Sequence, residues 1–94
     1  MPTDSLLYRL HALKRMAQRD ISPDDIRHAL ESPTILEDYP DDYPYASQLV
    51  LGWCSGRPIH IVVARNAEAG ESIIVTAYIP DSDQWSSDFS RRIK

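Results

Sequence analysis

Ninety-four residues, 43% hydrophobic and 26% charged, suit one small globular domain with a single core and exclude a disordered or fibrous chain. The net charge of −4 argues against indiscriminate nucleic-acid binding, and no apolar run approaches a membrane span. Cys54 is the only cysteine, which excludes an internal disulfide and a four-cysteine zinc site. The first residues lack the basic start and apolar block of a secretory signal, so a soluble cytosolic protein with no membrane partner is expected.

The charge is unevenly spread. Residues 1–19 sum to +3, residues 20–42 to −7, and residues 43–94 to zero. A basic helix beside an acidic segment could bind an anion locally, or could fold against the acids and neutralise itself.

The periodicity predicts a first helix over residues 5–19. On a helical wheel Leu6, Leu10, Leu13, Met16 and Ala17 gather on one side, while His11, Arg15 and Arg19 form a separate stripe at i, i+4 and i+8. Asp20 turns the chain, in the left-handed conformation that Asp tolerates better than most residues. Ser22 is a good N-cap for a second helix over 23–31, with Pro23 at its first position and Asp24 and Asp25 at the positive end of its dipole. Ile21 and Ile26 have the spacing of a hydrophobic staple. Ser32-Pro33 ends that helix.

Thr34 to Glu37 is predicted as a short edge strand. Residues 38–46 carry two prolines, three acids and three tyrosines and form an irregular loop, whose tyrosines pack over the sheet or stack on a ligand, packing being favoured. Ser47–Cys54 and Arg57–Arg65 flank Ser55-Gly56 as a hairpin with a two-residue loop, which sets His60 opposite Leu51. Ser72–Tyr78 makes another antiparallel strand, and the continuous apolar runs 49–51, 61–64 and 73–75 mark central strands. Trp85 folds back on the sheet, and the tail over 81–94 ends frayed or weakly helical. The whole chain, 1–94, is thus expected to be a single α+β domain. Two N-terminal helices pack on an antiparallel sheet of about four strands spanning residues 34–78.

Three stretches together resemble a known family: the HAxxRMxxR-x-Ile-Ser corner from His11, the Leu-Val-Leu-Gly-Trp and Gly-Arg-Pro-Ile-His-Ile-Val-Val halves of the hairpin, and Val-Thr-Ala-Tyr-Ile-Pro-Asp with Trp85 beyond. They look like the small bacterial family known as domain of unknown function 4258, from about His11 to Trp85. That family usually carries Gly before the Ile-Ser of the corner, where this chain has Asp20. Its order of helices and strands is similar to the RelE and ParE toxins, which are ribonucleases or gyrase inhibitors held in check by a partner antitoxin. The resemblance therefore implies a toxin-type protein acting on RNA or on a nucleic-acid enzyme, with a cognate antitoxin as partner.

A metal-independent endoribonuclease needs a base for the 2′-hydroxyl, an acid for the leaving 5′-oxygen and cations for the phosphate. His11 could be base or acid, since histidine titrates near neutrality. Arg15 and Arg19 could clamp the phosphate, with Arg57 and Arg65 extending the track. Tyr78 or His60 could supply the second proton-transfer group. Each has a plainer alternative: the stripe as a solvated face, His60 as a satisfied core histidine, Tyr78 as a strand-end anchor. His28 looks like a surface residue, and Trp53 and Trp85 like core or rim packing. A zinc site from His11, His28, His60 and Cys54 lacks paired spacing, and no phosphate loop or nucleophile elbow is present, so no metal or cofactor is expected. The competing function is a non-catalytic interaction or dimerisation module, and the apolar hairpin would suit a homodimer. Convergence of His11, the arginines and Tyr78 or His60 in one cleft would favour chemistry. A buried His60, with His11 paired to an acid, would favour the module.

Overall fold

The computed structural model describes residues 5–93. The elements run β1 (Ser5–Tyr8), α1 (Leu10–Gln18), α2 (Pro23–Ala29), β2 (Thr34–Tyr39), β3 (Ser47–Cys54), β4 (Arg57–Asn66) and β5 (Glu71–Tyr78). None of these helices is long and apolar enough to cross a membrane.

The corner between the helices forms as its residues dictate. Asp20 has φ 57°, and the Ile21 and Asp20 N–H groups reach back to the Met16 and Ala17 carbonyls at 2.8 and 3.4 Å, the paired bonds of a Schellman cap. Ser22 then begins α2 with a full capping box. Its hydroxyl accepts from the Asp25 N–H at 3.1 Å, and the Asp25 carboxylate accepts from the Ser22 N–H at 2.9 Å.

The sheet has five strands in the order β1-β5-β4-β3-β2. β3, β4 and β5 are central and antiparallel, as their apolar runs require, and β2 lies at one edge. The hairpin turns through Ser55 and Gly56, both with positive φ, so Leu51 faces His60 in the expected register. Both helices pack on one face of the sheet. Ala12, Met16, Ile21, Ile26, Ala29 and Leu30 close over Val50, Ile59, Ile61, Val63, Ile74 and Ala77. α2 sits so close to β3 that a Cβ on Gly52 would stand 2.2 Å from the Ala29 carbonyl oxygen, which only glycine permits.

Three expectations need correction. The first concerns residues 5–8, which form not the start of a helix but an edge strand parallel to β5, so the sheet is mixed and has five strands rather than about four. β5 offers this segment a row of open backbone groups, while Leu6 and Tyr8, on alternate positions, reach the core; a helix there would satisfy neither. The Arg9 N–H carries the pairing on to the Ile74 carbonyl at 3.1 Å before α1 begins. The second concerns the packed face of α1, which is Ala12 and Met16. Leu10 and Leu13 stand 67% and 42% exposed and Ala17 is exposed too, because the helix meets the sheet through a face rotated from the one they share. The third concerns the tail. Trp85 pairs with Arg92 in an isolated antiparallel bridge, the segment turns through Asp81–Gln84, and it lies along the sheet instead of fraying. In the acidic loop, Tyr45 accepts from Asn66 at 3.1 Å, but Tyr43 stands 95% exposed instead of packing over the sheet.

Candidate active site

The site lies where β1 stops. Its last paired residue, Tyr8, sits opposite Ile74, so β5 runs on from Thr76 to Tyr78 without an outer strand among the described residues. α1 crosses one side of that open edge and the tail passes on the other. Between them is a cleft of about 490 Å³ lined by His11, Arg15 and Arg19 of α1, Thr76, Tyr78 and Ile79 of β5 and its end, and Asp81, Gln84 and Trp85 of the tail. The i, i+4, i+8 stripe thus turns one imidazole and two guanidinium groups toward the end of one strand.

Tyr78 reaches this place through a bulge. Ile74 pairs with Val63 and faces the helices; Thr76 pairs with Val62 and faces away. Val75 is the extra residue; were the strand to alternate regularly through it, Tyr78 would point into the helix-covered core. With it, Tyr78 sits opposite His60 on the tail-covered face.

His60 is fully buried. Its Nε2 lies 2.8 Å from the Phe89 carbonyl oxygen, and its Nδ1 lies 3.1 Å from the Tyr78 hydroxyl. The Trp85 ring meets it edge-on at 4.3 Å, with Arg92 stacked 4.8 Å from the Trp85 centroid. Burial lowers the His60 pKa, the Phe89 carbonyl opposes that, and the Arg92 charge adds to it; the net shift is downward, so the ring is neutral at pH 7. Burial also raises the Tyr78 pKa, which keeps the phenol protonated.

The other candidates lie elsewhere. Arg57 pairs with Asp25 at 3.0 Å and donates from both terminal nitrogens to the Asp20 carbonyl at 3.2 Å, which ties β4 to the helix corner. The Ser22 N–H chiefly, helped by the Cys54 thiol at 3.4 Å, holds the Asp25 carboxyl below its usual range, while burial raises the thiol pKa. Arg65 lines a separate hollow with Asp38, Gln48 and Val63. His28 is exposed beside Glu31 at 3.5 Å, and Trp53 is a rim residue edge-on to Phe89 at 6.1 Å. Among the described residues, no ion pair joins His11, Arg15 or Arg19 to a carboxylate. Also among the described residues, no three His, Cys, Asp or Glu side chains gather closely enough to hold a metal ion.

The tail's share of the site, Asp81, Gln84 and the Phe89 carbonyl, was not apparent in the sequence. Trp85 was the one signal, since a lone tryptophan after a strand-ending proline needs a surface to cover.

The class is a mixed five-stranded sheet with two helices on one face and a basic cleft at its open edge. A family model for a domain of unknown function, DUF4258, matches residues 8–79, and the chain belongs to that family. No curated protein and no solved structure matches it. The family match ends at Ile79, so the cleft's tail wall lies beyond it.

Proposed function

We propose that this chain is a toxin-type protein whose cleft takes an RNA phosphodiester and cleaves it through its own side chains. One observation carries the reading: His11, Arg15, Arg19 and Tyr78 line a single cleft. Arg15 and Arg19 hold the phosphate oxygens with paired N–H donors, and His11 and Tyr78 exchange protons with the attacking and leaving oxygens. The acidic body of the protein confines this attraction to one edge, which favours a single strand entering the cleft over broad coating of nucleic acid. In this reading the protein works in the bacterial cytosol and is held in check by a partner protein.

The exposed Leu10 and Leu13 favour a second reading, a non-catalytic module that docks a partner through the other flank of α1. Induced expression of the wild type, His11→Ala and Arg15→Ala at matched soluble levels separates the two. Growth arrest by the wild type, relieved by both substitutions and accompanied by RNA cut at discrete sites, is expected. Arg15→Ala should weaken binding of single-stranded RNA about tenfold without moving the melting midpoint. Normal growth in all three cultures with intact RNA would overturn the toxin reading.

A further inference from the structure

Hydrogen-bond accounting at His60 fixes a direction. The Phe89 carbonyl oxygen can only accept, so the Nε2 that meets it at 2.8 Å carries the imidazole proton. In a neutral ring the other nitrogen is then bare. Nδ1 must accept, so the Tyr78 hydroxyl at 3.1 Å donates to it. The proton of Tyr78 is therefore turned inward, and the lone pairs of its oxygen remain for the cleft. We infer that His60 is a positioning residue that makes Tyr78 a proton acceptor toward the cleft, with the tail carbonyl of Phe89 holding the required tautomer. Tyr78 and His60, alternatives for one role in the sequence, act in series.

The chemistry that follows rests on the ribonuclease reading. As the 2′-oxygen attacks phosphorus, its proton passes to the Tyr78 oxygen while the Tyr78 proton passes to His60 Nδ1. The phosphorus–O5′ bond breaks, and the departing oxygen takes a proton from protonated His11. The products are a 2′,3′-cyclic phosphate and a 5′-hydroxyl, beside neutral His11 and cationic His60. His60 then returns its proton to Tyr78, whose own passes out through the cleft to re-protonate His11. Burial of the His60 cation drives that return.

Two measurements test the inference. Nitrogen NMR of the protein alone at neutral pH should show His60 with Nε2 protonated and Nδ1 bare; the reverse tautomer would overturn it. The second is cleavage of a single-stranded RNA by His60→Gln, whose amide can still donate to Phe89 and accept from Tyr78 but cannot take a proton. The rate should fall about 100-fold with RNA affinity and melting midpoint retained. Tyr78→Phe should fall alike, and the double variant no further.

The wild-type rate should decline as pH drops through the lowered His60 titration, a limb absent from His60→Gln. The charged and titratable groups facing the pair are Arg92 of the tail, Glu37 and Tyr39 of β2, and the cleft's own His11, Arg15, Arg19 and Asp81. A His60→Gln variant that cleaves at the wild-type rate would overturn the proposal. A wild type that leaves RNA intact ends the ribonuclease reading instead, and the nitrogen spectrum still decides whether Tyr78 faces the cleft as an acceptor.

Discussion

Two arginine-bearing regions flank the same pair of helices and use their charge in opposite ways. At the α2 corner, Arg57 spends its donors on the Asp25 carboxylate and the Asp20 carbonyl, and its charge is answered within the fold. At the α1 cleft, no described carboxylate forms an ion pair with Arg15 or Arg19. Charge that is answered internally stabilises a corner; charge left open can be answered by a ligand. The difference arises from placement. Arg57 sits where β4 passes beneath a left-handed carbonyl, whereas Arg15 and Arg19 project past the end of a short edge strand.

Substitutions at the corner should therefore move stability and spare RNA binding. The largest effect is expected from Gly52→Ala, whose new methyl collides with the backbone of α2 rather than with a flexible side-chain tip. A loss of about 3 kcal/mol in chemical denaturation would register the lost seat of that helix. Arg57→Ala comes next. Releasing Asp25 and the Asp20 carbonyl should lower the melting midpoint by about 6–8 °C with RNA affinity unchanged. If RNA affinity fell instead, the division between the two regions would fail. Smallest is Asp20→Gly, which relieves a left-handed aspartate and should raise stability by about 1 kcal/mol, read as a midpoint about 5 °C higher.

Much of this was legible wherever a feature is local. The Asp20 turn, the Ser22 cap and the Ser55-Gly56 hairpin depend on residues a few positions apart, and all three formed as expected. The α1 stripe was legible for the same reason, since helical spacing alone sets which side chains share a face. Three features depended on distant partners and were hidden. Ser5–Tyr8 is helical by pattern and a strand by pairing, because the open edge that recruits it lies more than sixty residues away. Leu10 and Leu13 read as core, yet the sheet beneath α1 meets Ala12 and Met16. The tail's hold on His60 runs through a backbone carbonyl, which leaves no mark in residue type.

The extra residue at Val75 acts on parity. Along β5, even-numbered Ser72 and Ile74 face the helices, but beyond the bulge the odd-numbered Ala77 does. The bulge thus takes up the extra residue, and the inward face passes from even to odd numbers for everything that follows. What this stretch must preserve is the bulge itself: were the same residues to alternate regularly through Val75, Tyr78 would turn away from His60 without a single residue of the site being altered, whereas deleting position 75 would restore an unbroken ladder and leave the pair facing.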